Sequence, residues 1–469
     1  MGKKIIYSIF LIMITFALKA EGYLVSVKWE GLSDTTIYLA HYYESSIFVD
    51  DTLKLNKQGE GEFSGDSLLR QGLYMLYLNR DSHLDFLLGK DQTLAIETDQ
   101  SDLMGKLSIK GASESQAFLD YQKFLKEKMT IKNKLLAELK DKDKDSTQTI
   151  RDELNKTDKQ MAAYLKTETE KAGNSMYGLF LRTANMVDVP EPDVDKSNPK
   201  YDSTAWFHSY NYQRDHFFDN VDFTDDRILN TPLLNPKLDT YFNKILIQSP
   251  DSIIPQAMKL LKRAEPNRYV YQYLTQFLIN NSTQSKIMGM DAVFVAIADS
   301  VYLKGKATWA DSTILAKIAE EAYLTRPNLI GKKAPPLVMQ NLDGEIESLD
   351  QLQCDYTILV FYEYDCGHCK KDIPILYNDV FLKFMDDNID AFAVCMNNDK
   401  EKWNEFVTEN ELVGWHNVWD PNHTTLFRYK YNVKTTPTIY LLDKDKKIIA
   451  KRIDNSSLTK LLNVLLNKK

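Results

Sequence analysis

A β-rich segment, an all-α segment and an α/β segment are predicted to follow one another along this 469-residue chain. Three shifts in pattern predict them. Short runs of β-branched and aromatic residues, broken by glycines, fill residues 21–112. From Ser113 to about residue 328, apolar residues recur at helical spacing. Over 329–469, strand-like runs alternate with helical ones, as in a sheet covered by helices. At roughly 100–200 residues per domain, the length suits about three domains.

The chain starts differently. Lys3 and Lys4 precede the uncharged apolar run Ile5 to Leu18, and Lys19-Ala20-Glu21 returns to polar sequence. A basic start, a short apolar core and a small residue at the cut describe a secretory signal peptide over residues 1–20. The run is short for a membrane span, which takes about 20 apolar residues. An uncleaved N-terminal membrane anchor is the alternative. No cysteine follows the run for lipid attachment. The mature chain is expected to be soluble and exported.

In the β-rich segment, "YLVSVKW", "TTIYLAHYY", "SSIFVDDTLKL", "GEGEFSG", "GLYMLYL", "HLDFLLG" and "LAIETD" read as strands separated by turns. A β-sandwich or a partly open barrel is expected. The helical segment opens at Ser113 with a Ser-x-x-Gln capping pattern. Two long helical runs flank the charged stretch Asp141–Gln148, which predicts an α-hairpin. The proline-bearing Val189–Lys200 reads as a loop, and six further helical runs reach Leu324. No fixed-period repeat marks a solenoid. "TRPNLIGKKAPPL" (Thr325–Leu337) is irregular and marks a boundary. Beyond it, Asp343-Gly344 predicts a two-residue type I′ hairpin turn. "YTILVFYEY" predicts a strand buried on both faces.

Composition is that of a globular protein, with a net charge of −8 and a sequence pI of about 5.6. No concentrated basic surface calls for nucleic acid. The four cysteines, Cys354, Cys366, Cys369 and Cys395, all lie in the C-terminal segment. That is too few for a disulfide scaffold and suits a single site with bystanders.

Cys366 and Cys369 stand in "YDCGHCKKDIP", past the end of the buried strand and in the first turn of the next helix. Open α/β sheets place their chemistry at that end of their strands. The unpaired N–H groups and positive dipole end of the helix favour a thiolate at Cys366. His368 adds a donor or a positive charge, whereas the carboxylate of Asp365 opposes a second anion. The dipole and His368 are expected to dominate. Haem attachment needs a histidine after the second cysteine, where Lys370 stands. Structural zinc takes about four ligands, and neither a second Cys-x-x-Cys nor a histidine pair is present. An inert pair is the bland alternative; redox chemistry suits the context best. Cys354 and Cys395 are expected too far apart along neighbouring strands to pair, with Cys395 serving as a small buried hydrophobe.

From about Ile330 onward the sequence resembles the thioredoxin fold, and within it the membrane-tethered or periplasmic thioredoxins of the TlpA/ResA type. "IGKKAPPL", "ILVFYEYDCGHCKKDIP" and "VKTTPTIYLLDKDKKII" carry the resemblance. It implies a thiol–disulfide oxidoreductase domain in which Cys366 attacks and Cys369 resolves. Pro374 matches a helix-kinking proline, and Pro437 a substrate-facing cis-proline beside the dithiol. Asp372 sits where such proteins carry a glutamate near the thiols, and would assist proton transfer or simply be solvated. Two departures stand out: Val360 replaces the buried acid of thioredoxins, and Asp365 replaces the tryptophan before the first cysteine. The resemblance implies no cofactor and no metal. Its partners would be envelope protein thiols or disulfides and a redox partner protein, in a reductase, oxidase or isomerase direction. The preceding segments resemble N-terminal parts of multi-domain thioredoxin-like proteins of the Gram-negative envelope. About 300 residues without a visible catalytic constellation sustain the alternative of an envelope binding or scaffold protein.

Overall fold

The alternation of buried and exposed positions in the first strands is what lays two sheets face to face. The computed structural model describes residues 22–140 and 147–468. The expected signal peptide and most of the charged stretch after residue 140 lie outside the described residues. The chain divides into two compact units, one ending at Ile245 and one starting at Leu246.

In the first unit the strands are β1 (Tyr23–Glu30), β2 (Thr36–Tyr43), β3 (Ser46–Lys54), β4 (Glu60–Gly65), β5 (Gly72–Asn79), β6 (Ser82–Leu88), β7 (Thr93–Asp99) and β8 (Ser108–Lys110). They form two four-stranded sheets, ordered β4-β1-β7-β8 and β3-β2-β5-β6. Alternate residues of both, among them Val25, Trp29, Leu39, Phe63, Phe86 and Ile96, share one buried cluster. Of the two expected architectures, the sandwich is present. The indole N–H of Trp29 donates to Gln100 at 3.0 Å, which satisfies the polar atom of this large core side chain.

The helices of this unit are α1 (Ser113–Lys140), α2 (Gln148–Ala172), α3 (Met176–Ala184), α4 (Tyr201–His216) and α5 (Leu234–Thr240), the last continuing as a π-turn over Tyr241–Ile245. The α-hairpin is confirmed by the stacking of Phe124 on Tyr164, with ring centroids 3.9 Å apart. The capping pattern works differently from expectation. Gln116 donates to Asp120 one turn on, at 2.9 Å, and the hydroxyl of Ser115 donates to the Leu87 carbonyl at 2.5 Å. The second contact ties the start of α1 to β6.

The second unit begins with α6 (Pro250–Ala264), α7 (Arg268–Gln284), α8 (Asp291–Ile297) and α9 (Ser312–Thr325). The helical run of 113–328 thus contributes to both units. Strands β9 (Val338–Asn341), β10 (Ile346–Ser348), β11 (Tyr356–Tyr362), β12 (Ile389–Cys395), β13 (His416–Trp419), β14 (Thr438–Asp443) and β15 (Ile448–Lys451) form one sheet, ordered β10-β9-β13-β12-β11-β14-β15. Between them lie α10 (Gly367–Ile375), α11 (Leu382–Phe384), α12 (Lys400–Glu409) and α13 (Phe427–Lys430), and α14 (Asn455–Leu465) closes the unit. β11 is central, parallel to β12 and antiparallel to β14. Its alternate residues enter two apolar clusters on opposite faces: Ile358, Val360 and Tyr362 in one, Leu359 and Phe361 in the other. The near-continuous apolar run has this cause.

The β9–β10 hairpin differs from expectation. The Asn341 N–H donates to the Glu345 carbonyl and the Gly344 N–H to that of Asn341, so three residues make the loop. Gly344, at φ +86°, takes the left-handed position, while Asp343 does not. A type I′ turn needs positive φ at both central residues, which Asp343 adopts less readily than glycine.

Candidate active site

β11 ends at Tyr362, and Glu363–Asp365 carry the chain to Cys366, which caps the N-terminus of α10 with extended backbone (φ −73°, ψ 126°). The Cys366 N–H donates back to the Glu363 carbonyl at 3.3 Å, and the Lys370 N–H to the Cys366 carbonyl at 3.0 Å. These bonds fix the turn and start the helix. Cys366 is half-buried, whereas Cys369, one turn along, is fully buried. A side chain placed at Gly367 would meet nothing within 4 Å, so the approach to Cys366 on that side is open.

The two thiols are unlike. Burial works against a thiolate at Cys366, but hydrogen bonding at Thr436 and from the backbone N–H groups of Cys369 and His368 outweighs it. The thiol is held below its ordinary value of 9.0. Burial pushes Cys369 up to about 12, against a hydrogen bond from the Glu363 backbone. N–H groups at a helix start favour the thiolate of the cap residue, and burial disfavours that of Cys369; the two effects together produce the asymmetry.

The expected site residues fall as follows. Cys366, Cys369 and Pro437 come together: the Thr436–Pro437 peptide is cis, and Cys366 Sγ lies 3.6 Å from the Thr436 carbonyl oxygen. The ring of His368 is exposed, and its contribution to Cys366 is its backbone N–H. Asp372 is partly buried on α10, where its backbone carbonyl accepts from Asn455 at 2.9 Å. Asp365 is held by Asn397, whose amide donates to its carboxylate at 2.9 Å. Pro374 has no N–H for the Lys370 carbonyl, and the helix widens into a π-turn over Leu376–Phe381 just beyond it. Val360 is fully buried in the same apolar cluster as Cys369, so this part of the site is dry.

All four cysteines are free thiols. Cys395 pairs in register with Tyr362, while Ile389 faces Tyr356, the start of β11; Cys354 lies before that start. The two cysteines are therefore at opposite ends of neighbouring strands, as expected. Cys395 is 1% exposed, and burial pushes its thiol up to about 12.

One charged group beside the dithiol escaped the sequence reading. Glu363 Oε2 accepts from the Thr436 hydroxyl at 2.9 Å, and Oε1 lies 3.6 Å from the Arg428 guanidinium. Arg428 is anchored in turn on the Met396 carbonyl at 3.0 Å. The only signal was an acid three positions before Cys366 in a chain whose buried acid is replaced by Val360. Among the described residues, no group of three or more histidine, cysteine or acidic side chains could hold a metal. No described helix is long and apolar enough to cross a membrane.

Residues 330–451 match the AhpC/TSA family, and residues 166–328 match a domain of unknown function, DUF5106. Thiol-disulfide oxidoreductase ResA of Bacillus cereus is 27% identical over 124 residues, which are 26% of this chain and 69% of that protein. A domain of a possible thiol-disulfide isomerase from Cytophaga hutchinsonii is 39% identical, covering 30% of this chain and 94% of that one, with a TM-score of 0.28. A thioredoxin-like protein from Bacteroides caccae is 18% identical, covering 60% of this chain and 99% of that one, with a TM-score of 0.46.

Proposed function

Residues 330–451 are a thioredoxin-like domain of the AhpC/TSA family, and from that premise we propose that the chain is an exported thiol–disulfide oxidoreductase working through Cys366 and Cys369. The observation that carries the reading is the asymmetry of the pair: an approachable thiol of lowered pKa above a buried one of raised pKa. The thiolate is the attacking species in disulfide exchange. Cys366 attacks a disulfide of a protein substrate, forming one S–S bond and expelling the other sulfur as a thiolate. Cys369 then attacks Cys366, releases the second substrate sulfur and leaves a Cys366–Cys369 disulfide. The reverse sequence oxidises a substrate dithiol. The loop before Pro437, against Cys366 Sγ, is suited to hold a substrate strand alongside the reacting sulfur.

His368 and Asp372 keep subsidiary roles in this proposal, His368 chiefly through its backbone N–H. Export rests on the pattern of residues 1–20, and the partners would be envelope proteins together with a redox partner.

Equilibration in thiol–disulfide buffers, read by the loss of two free thiols, tests the reading. The proposal expects one two-electron transition that disappears in Cys369→Ala. A potential near about −270 mV would make the chain a reductant, and one near about −120 mV an oxidant. A stabilised Cys366 thiolate favours the dithiol and moves the couple toward the oxidising side. Four free thiols at every potential would refute the proposal.

A further inference from the structure

The loop before Pro437 is tied to a helix that precedes the sheet. Lys434 Nζ donates to both carboxylate oxygens of Glu321 on α9, at 2.8 and 2.7 Å, and the Asn432 amide donates to Glu321 Oε1 at 3.3 Å. On β15, the buried Lys451 ammonium meets the Asp291 carboxylate at the start of α8. These two pairs border a cavity of about 660 Å³, a size that suits a small-ligand site. All of its lining residues lie in the second unit. The segment between α7 and α8 supplies exposed Lys286, Ile287 and Met288, and the end of β15 and start of α14 supply Arg452, Ile453 and Asp454.

Most charges of this cavity are matched. Lys434 is held by Glu321 and Lys451 by Asp291. The Asp454 carboxylate accepts from the N–H and the hydroxyl of Ser457, at a helix N-terminus whose dipole offsets its charge. Two cations are left over. Lys286 and Arg452 have no carboxylate partner among the described residues, and the Arg452 guanidinium donates to the Asn432 carbonyl at 3.3 Å. In a chain of net charge −8, two unmatched cations beside exposed apolar side chains suit a ligand that is both anionic and apolar.

The cavity also adjoins the dithiol. Thr436, whose carbonyl lies 3.6 Å from Cys366 Sγ, follows Asn432 by four residues, so at most about 13 Å of loop separates the Arg452 contact from the thiol contact. The Asn455 amide on α14 donates to the Asp372 carbonyl on α10 at 2.9 Å. That bond fixes the α14 end of the cavity against the helix that carries both cysteines.

We propose that this cavity binds the polypeptide flanking the reacting cysteine of the substrate. It selects a flank in which an aspartate or glutamate stands beside an apolar residue, about two to four residues from that cysteine. Arg452 and Lys286 attract the carboxylate, and Ile287 and Met288 cover the apolar side chain. These four are specificity-determining residues and take no part in the exchange itself. Because the α7–α8 segment and α9 supply part of the lining, the helices before residue 328 share in choosing the substrate.

This inference rests on the dithiol reading, and one experiment keeps the two apart. The reduced full-length chain is mixed by stopped flow with 4,4′-dithiodipyridine, a neutral disulfide without flanking chain. It is also mixed with short cysteine peptides activated as 4-thiopyridyl disulfides, carrying Leu-Glu or Leu-Lys on either side at the proposed spacing. Attack by Cys366 releases thiopyridone, and each peptide rate is divided by the dithiodipyridine rate. At about 0.01 M salt the Glu peptide is expected to react at least about five-fold faster than the Lys peptide, and at about 1 M salt the gap should close. The net charge of the chain favours the Lys peptide, so a Glu preference has to come from the cavity. Arg452→Gln should cut the preference at least about two-fold, and Lys286→Glu/Arg452→Glu should invert it. No thiopyridone release from any of the disulfides would overturn the dithiol reading itself. Release without a Glu preference would overturn the inference and leave that reading standing. So would a preference that is unchanged in Arg452→Gln, or one that persists at high salt.

Discussion

The backbone carbonyl of Thr436 lies 3.6 Å from Sγ of Cys366, which places the loop before Pro437 against the half-buried thiol while Cys369 is fully buried. Reactivity should follow that layering. In the reduced chain at pH 7, iodoacetamide is expected to label Cys366 at least about ten-fold faster than Cys369, Cys354 or Cys395, since the thiolate is the reactive form. The Cys366 labelling rate should level off at a pH below the ordinary thiol value of 9.0, whereas Cys369 should gain reactivity only toward about 12. Peptide mass spectrometry of time points gives both rates.

Below the dithiol, the indole N–H of Trp403 donates to the Tyr362 hydroxyl at 2.8 Å, with both side chains 0% exposed. Tyr362→Phe keeps the ring and strands the indole donor. Urea unfolding should show a loss of about 1–3 kcal/mol, the desolvation cost of a buried donor left unpaired. An unchanged midpoint would mean that the indole finds another partner.

The imidazole of His416 bridges two carboxylates, with Nδ1 2.6 Å from Glu347 and Nε2 3.1 Å from Asp390. The Asp390 hydrogen bond, against burial and with help from Glu347, raises its pKa to about 9. The folded value exceeds the ordinary 6.5, so this stabilisation is complete below about pH 6.5 and fades as pH rises through about 9. The site is one-third exposed, so after screening about 1–2 kcal/mol is expected. His416→Gln should lower stability at pH 6 and bring the variant and wild-type curves together above pH 9.

Lys451 on β15 is a buried cation, 5% exposed at its side chain, that meets the Asp291 carboxylate and donates to the Asn328 carbonyl at 2.6 Å. Burial lowers its pKa despite Asp291. Asp291→Ala should cost about 3–5 kcal/mol because it leaves an uncompensated buried charge. Adding Lys451→Met to that variant should restore much of the stability. Thermal melts of the single and double variants decide the matter.

What could be read in the sequence was whatever depends on near neighbours. The six buried residues from Thr357 to Tyr362 announced a strand buried on both faces, and Cys-x-x-Cys at its end announced a helix start that favours a thiolate at Cys366. Contacts across long stretches of chain were illegible. Glu363 gains its meaning from Thr436, 73 residues away, and His416 from Glu347, 69 residues away. No local periodicity records such pairs. The short α3 also went unread, since nine residues give helical spacing little room to repeat. The π-turns were hidden because they follow from packing around residues such as Pro374.

The most direct test of the central claim is covalent trapping of the full-length Cys369→Ala chain. The reduced variant is incubated with insulin, whose disulfides serve as the protein substrate, and adducts are resolved by non-reducing electrophoresis and mass spectrometry. The account expects an adduct joined through Cys366, released by reductant and lost in Cys366→Ser/Cys369→Ala. An absence of adduct, or an adduct that persists without Cys366, would contradict it.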